Sequence, residues 1–327
     1  MANVQAQTLT PRQKGLAACG CLMAQGDMPR LKQGIRQALD AGVTIKELKE
    51  AFSQLYAYTG FPRSLNALGM LGEVLRDRQP HWQEGKPWTR PAVWDNAQQS
   101  YELGTKVQTQ LTGQPFDYTF CPQDDYYLKS HLFGDIFAGD QLTPADREIV
   151  TVAALSGLNG VAPQLAAHKK GAVNMGNSQE LVDELCRWLC EEGYILSTTW
   201  PKGEENPYGQ FFIGKSYLAD VGGGVMNVTF EPRCRNNWHI HHKQVQVLIC
   251  VAGRGWYQEW GKAPQVMTPG TVVAIPAEVK HWHGAAKDSW FQHLTYHRDV
   301  QEGASNEWLE PVTDETYDSL PTSDETR

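Results

Sequence analysis

The sequence predicts a multidomain α and β protein, with a duplicated all-α domain ahead of a compact β barrel or sandwich. Three observations predict it. Apolar residues recur at helical spacing near the start, a later stretch echoes the first, and after Gly193 short β-branched and aromatic runs are divided by glycine and proline. The 327 residues exceed one ordinary core, and 41% hydrophobic composition can fill more than one.

Taken in order, residues 8 to 80 read as helical. Leu16, Leu22, Leu31, Ile35, Leu39, Leu48, Phe52 and Leu55 fall at helix-like intervals, broken by turns at QGDMP and DAGVT. Thr44 with Glu47 three residues on predicts a capped helix start. The Trp-, Pro- and Gln-rich segment 82 to 115 reads as a surface excursion. A second helical block spans about 124 to 195: LTPADR at 142 repeats LTPRQK at 9, and GVAPQLAAHKKGAVNMG at 160 repeats DMPRLKQGIRQALDAG at 27, with Gly34 in register with His168. YILSTTWPKGEENPYGQ follows as a linker. VMNVTFEP, VQVLICVAGRG, GTVVAIPAE and WFQHLTYH then read as strands. The expected domains are 8–120, 121–197 and 205–312, with an acidic, frayed tail over 313–327.

Charge and cysteine usage narrow the classes. A net charge of −8 argues against a nucleic-acid partner, and no apolar run reaches membrane-spanning length. The seven cysteines lack disulfide-framework spacing and are expected as free, buried thiols. MANVQAQTLTPRQ lacks the regions of a signal peptide, so a cytoplasmic location is expected; the periplasm stays open if a leader was removed upstream.

The densest chemistry lies in WHIHHKQVQ. On a strand, His239 and His241 share a face about 6 to 7 Å apart, within reach of one ion. Gln246 follows after four residues and Gly253 after six more, and Gly270, Pro276 and His281 repeat a fixed spacing downstream. His242 falls on the opposite face. His283 and His293 are open candidates for the same cavity, and Gln244 is the rival to Gln246.

The spacing His-x-His-x4-Gln-x6-Gly, then Gly-x5-Pro-x4-His, resembles the two cupin motifs. The resemblance implies a double-stranded β-helix barrel with one divalent metal, Mn, Fe, Zn or Ni, on His239, His241, Gln246 and His281. Arg233 and Glu278 stand where the family motif has glycine, and Ala285 where it has asparagine. Trp238, Trp256, Tyr257, Trp282 and Trp290 are expected as aromatic pocket walls. The repeats carrying LTPADREIVTVAALSGLNGVAPQLAAHKKGAVNMG and AGVTIKELKEAFSQLYAYTGFPRSLNALG resemble the carboxymuconolactone decarboxylase family and its alkyl hydroperoxidase D-like fold. The whole chain thus resembles a carboxymuconolactone decarboxylase/cupin fusion protein, and identical subunits are expected to associate.

That resemblance implies catalytic roles for His168 as acid/base and Glu148 as its orienting partner, with Arg147 binding a substrate carboxylate. The peroxidase branch needs Cys-x2-Cys between such a Glu and His, and LSGLNGVAPQL has no cysteine. Neither Cys19 with Cys21 nor Cys186 with Cys190 has that spacing. Tyr58, Arg63, Ser64 and Asn66 form a polar cluster that could close a pocket against a neighbouring subunit. Three functions stay open. One is a metal-dependent lyase or decarboxylase acting on a small oxygenated substrate, in line with the similarity of the HWHGA run to cyanohydrin-cleaving lyases. The others are an oxidoreductase and a non-catalytic binding protein.

Overall fold

The computed structural model describes residues 8–196 and 199–321, in two units divided between Arg187 and Trp188. The first holds the helices α1 (Pro11–Gln25), α2 (Met28–Asp40), α3 (Ile45–Thr59), α4 (Phe61–Val74), α5 (Ala97–Thr112), α6 (Pro122–Tyr126), α7 (Pro144–Ser156) and α8 (Ala162–Asn174). A π-helix covers Tyr127–Ile136, and α9 (Gln179–Glu191) crosses the division. No helix among the described residues is long and apolar enough to cross a membrane.

The duplication is visible in how the helices begin. Thr10 and Thr143 each cap a helix whose first residue is proline: the hydroxyls accept from the first-turn N–H groups of Gln13 and Asp146, which have no intrahelical partner, and proline has no N–H that would need one. At α3, Thr44 Oγ1 accepts from the Glu47 N–H at 3.2 Å and Glu47 Oε2 accepts from the Thr44 N–H at 2.7 Å, the reciprocal box read from the sequence. The core beneath includes Leu16, Leu22, Leu31, Ile35, Leu48, Phe52 and Leu55, all at most 1% exposed. Leu39, the remaining residue named at helical spacing, is buried too at 2% exposed, so the whole set faces inward.

Residues 82 to 115 are more ordered than a surface excursion. Asn96 caps α5 by accepting from the Gln98 and Gln99 N–H groups, and α5 packs on the π-helix. The composition hid this helix because its buried face carries Ser100, Gly104 and Gln108, with Leu111 its one large apolar residue. Close approach is the reason: a Cβ on Gly104 would sit 1.6 Å from the Lys129 carbonyl oxygen. Lys129 is itself buried, held by Asp117 and Asp125.

The second unit is a double-stranded β-helix built from two antiparallel sheets. Its strands are β1 (Glu204–Glu205), β2 (Phe212–Ile213), β3 (Ser216–Gly222), β4 (Val225–Phe230), β5 (Arg235–Asn236), β6 (His239–His242), β7 (Val245–Gly253), β8 (Gly255–Glu259), β9 (Gln265–Met267), β10 (Val272–Ile275), β11 (His281–Ala285), β12 (Phe291–Arg298) and β13 (Ser305–Trp308). One sheet runs β1-β3-β4-β12-β7-β10; the other runs β13-β6-β11-β5-β2, with β8 also on β11 and β9 on β8. Phe230, Leu248, Cys250, Ile275 and Phe291 fill the barrel, and each phenylalanine contributes about 2 kcal/mol by leaving water. The tail departs from a frayed acidic segment: α10 (Asp314–Asp318) buries Tyr317, whose hydroxyl donates to the Ala285 carbonyl at 2.7 Å. Residues 322–327 lie outside the described residues.

Gly104→Ala is expected to destabilise the protein by about 3 kcal/mol, because backbone faces the new methyl group and cannot give way. Thr44→Ala is expected to cost about 1 kcal/mol. Chemical denaturation of the full chain checks both, and equal effects would contradict the close-packing argument.

Candidate metal centre

Antiparallel pairing places His281 of β11 directly opposite His239 of β6, while the two-residue repeat of β6 puts His241 on the same face. The ring nitrogens of His239, His241 and His281 converge, with one atom from each lying within 4.8 Å of the others. All three residues are at most 4% exposed. Gln246 on β7 joins them with Oε1 3.1 Å from His281 Nε2, and its amide Nε2 lies 3.3 Å from Thr295 Oγ1.

The outward nitrogens settle which way each ring presents its lone pair. Nδ1 of His239 lies 3.0 Å from the Asn237 carbonyl, Nδ1 of His281 lies 2.9 Å from the Val279 carbonyl, and Nδ1 of His241 lies 2.6 Å from Asn306 Oδ1. Each of those oxygens accepts, so Nδ1 carries the proton and Nε2 is left with a lone pair directed inward. His241 Nε2 is buried with no hydrogen-bond partner, a cost of about 1–3 kcal/mol unless something binds there. Burial holds all three rings neutral: it depresses His239 strongly, His241 to about 4 and His281 to about 3, and the neighbouring imidazoles add to the effect. Three neutral imidazoles and an amide oxygen suit a borderline divalent ion, and the residues present fit such a group.

Other sequence candidates fall into place around this cage. Gln244 donates to Asn306 Oδ1 at 2.8 Å and so supports His241 from outside. His242 points to the opposite face between Glu278 and Glu307, which raise its pKa. Arg233 and Glu278, the two departures from the motif's glycines, adopt φ of 72° and 65°, so the left-handed turns survive without glycine. Arg233 is then held by Asp318, and Glu278 by His242.

The aromatic wall needs correction. Trp282 lies between His281 and His283, so strand alternation turns it away from them; with Trp238 and Trp256 it packs against Val312, Tyr317 and Leu320 of the tail. Trp290 lies near Lys202. Tyr257 does lie beside the cage, 5.9 Å from the His281 ring, and burial raises its hydroxyl pKa. Trp308, for which the sequence carried no signal, stacks on Phe211 with ring centres 4.8 Å apart and lies tilted at 35° to the His239 ring at the same distance. Register alone brings it there, since β13 pairs with β6 far along the chain.

His283 and His293 are buried beside the cage with ring centres 4.8 Å apart, and His283 is 5.5 Å from His239. Asn236 holds His283 from two sides: its Oδ1 accepts from the His283 backbone N–H at 2.9 Å and its Nδ2 lies 3.0 Å from Nε2. Desolvation lowers both pKa values, that of His293 to about 4.

In the helical unit, Glu148 of α7 and His168 of α8 meet, with Oε2 2.8 Å from Nδ1; Glu148 Oε1 is buried without a partner. In the first repeat the matching Gly34 faces Leu22 and Cys19. Arg147 differs from its expected role. Its guanidinium is 1% exposed and is taken up by Glu50, Gln54 and the Gly139 carbonyl, so no face is left for a substrate carboxylate. Arg63 is committed to the Ala24 carbonyl and Ser64 to the Phe52 carbonyl, while Asn66 is exposed. Cys19 and Cys21 are fully buried thiols, with Cys21 pushed up to about 12, unlike a peroxidatic thiolate.

Comparison with known proteins agrees with this division. The carboxymuconolactone decarboxylase family model matches residues 1–73 and 126–195, and the cupin domain model matches residues 226–292. The chain belongs to the carboxymuconolactone decarboxylase/cupin fusion proteins. An (R)-mandelonitrile lyase of Granulicella tundricola is 44% identical over 91 residues, 28% of this chain and 68% of that protein. Peroxisomal protein 2 of Saccharomyces cerevisiae is 28% identical, covering 47% of this chain and 63% of its own length. The chain therefore spans about two thirds of the length of these relatives. A crystal structure of a cupin-like protein from Thermotoga maritima is 35% identical over 38% of this chain and 96% of that chain, with a TM-score of 0.35.

His293 makes the acid response of the barrel predictable. Its folded pKa of about 4 lies below the unfolded 6.5, so the unfolded state takes up a proton first as pH falls. This group's contribution is complete above about pH 6.5 and declines by about 1.4 kcal/mol per pH unit toward pH 4. His293→Phe is expected to flatten the pH dependence of stability in that window by about one proton, measured by denaturation at several pH values. An unchanged slope would contradict a neutral, desolvated His293.

Proposed function

We propose that the chain is a metal-dependent lyase, with one divalent ion, Mn, Fe, Zn or Ni, held by His239, His241, Gln246 and His281. Its substrate is a small oxygenated molecule that is cleaved beside a hydroxyl- or carbonyl-bearing carbon. The observation carrying this reading is the common orientation of the three imidazoles: each has Nδ1 bound outward, their ring nitrogens converge within 4.8 Å, and Gln246 Oε1 stands 3.1 Å from His281 Nε2. The name of the mandelonitrile lyase relative supports the reaction type.

When bound, the ion would supply a Lewis acid for a substrate oxygen. The chain's own residues supply the proton handling. The Asn236 amide donates to the ring of His283 and holds it in place, whereas His293 turns Nδ1 to the Leu294 carbonyl at 3.2 Å and leaves a buried Nε2 without a partner, so His293 keeps the lone pair that can accept a hydroxyl proton from a molecule beside it. For a cyanohydrin, the oxygen's electrons then form the carbonyl as the carbon–carbon bond breaks, and its electron pair leaves with cyanide. The proton taken up by His293 can then pass to the departing cyanide, which returns the imidazole to its neutral form. Buried Phe230 and Tyr257 limit water at this end of the barrel.

The test is carbonyl release from mandelonitrile and a panel of hydroxy and keto acids, with oxygen uptake recorded alongside. His293→Gln is expected to lower turnover by about 10²-fold or more while leaving metal content intact. Turnover that consumes oxygen would replace this reading with an oxidoreductase, and saturable binding without turnover would replace it with a binding protein.

A further inference from the structure

The helical unit contains a cleft of about 700 Å³ that none of the residues discussed as catalytic or metal-binding explains. Three segments wall it: α3, the stretch carrying Trp88 and Trp94, and the π-helix. Trp88 and Trp94 stand 5.8 Å apart and remain 52% and 41% exposed, an unusual investment of aromatic surface unless something covers it. Tyr56 adds a third ring to the wall, stacked on Phe61.

The charge in this cleft is unbalanced. Glu50 is bound by Arg147 and accepts from the Gln141 and Leu142 backbone N–H groups. Asp135 is bound by His131 and by the Ser100 hydroxyl. Arg90 pairs with Asp95. Among the described residues, neither Lys46 nor Lys49 is in an ion pair. They lie three residues apart on α3 and so share the side that lines the cleft.

The π-helix is an independent sign. Ten residues in the wider helix are uncommon, and such segments gather at functional sites. Here the wide turn sets His131, Asp135 and Ile136 into the cleft wall, and the glycine contact at Gly104 lets α5 close in behind it.

We propose that this cleft is a binding site for a small aryl carboxylate, its ring against Trp88 and Trp94 and its carboxylate toward Lys46 and Lys49. A planar ring gains from the tryptophan faces, and an anion gains from two ammonium groups that lack carboxylate partners. A cation would meet only carboxylates that already have partners. This site is independent of the metal reading, and its test can be run with the metal cage removed.

The probe is benzoate, titrated into the full chain carrying His239→Ala and His281→Ala and followed by calorimetry and tryptophan fluorescence. Saturable binding at one site per chain with a tryptophan signal is expected. Lys46→Gln with Lys49→Gln should weaken it about tenfold or more without moving the thermal unfolding midpoint. Trp94→Leu should remove most of the fluorescence change. Benzamide, which keeps the ring and loses the charge, should bind at least about tenfold more weakly. Equal binding of benzamide, indifference to both lysines, or no saturable benzoate binding would each overturn the proposal.

Discussion

The cupin unit depends on three hydrogen bonds that point away from its centre. Asn237, Val279 and Asn306 each engage the Nδ1 of one imidazole, and by fixing the tautomer they leave Nε2 as the lone-pair nitrogen of three rings whose nitrogens converge within 4.8 Å. Without those acceptors the rings could rotate or exchange tautomers, and the cage would lose its geometry. Two of the acceptors are backbone carbonyls within two residues of the histidine they serve, so the strand path itself orients the ring. The third arrives from β13, which makes that strand part of the centre although it carries no ligand.

Desolvation sets the chemistry that follows. Depressed pKa values keep His239, His241 and His281 unprotonated well below neutral pH, which removes proton competition at the cage. The same burial leaves His283 and His293 neutral and next to it. The helical unit spends its buried charge differently. There Arg147, Glu50 and Gln54 satisfy one another between α3 and α7, a buried network that fixes position and is costly to break. The Glu148–His168 pair beside it keeps one carboxylate oxygen unbound.

Much of this was legible in the sequence where a local rule applied. The Thr44 box, the proline-led starts of the duplicated helices and the alternation that puts His239 and His241 on one face each depend on residues a few positions apart. The motif spacing also pointed to Gln246 over Gln244, and the outward bond of Gln244 to Asn306 explains the difference. What escaped was set by distant register or by small residues. Trp308 reaches His239 through a strand pairing across many residues, and α5 hides its buried face behind serine and glycine. The aromatic wall failed for a simpler reason: alternation along β11 turns Trp282 outward wherever its histidine neighbours turn inward. Arg147 looked available only because its partners, Glu50 and Gln54, lie nearly a hundred residues earlier.

The central claim is that four side chains form one metal cage, and metal content tests it most directly. Mass spectrometry on the purified full chain, compared with a His239→Ala/His281→Ala variant of matched fold, should find about one divalent transition metal per chain in the first and almost none in the second. Equal, low occupancy in both after loading with Mn, Fe, Zn and Ni would contradict the account, because three aligned lone pairs with no ion to bind would leave the cage without a purpose.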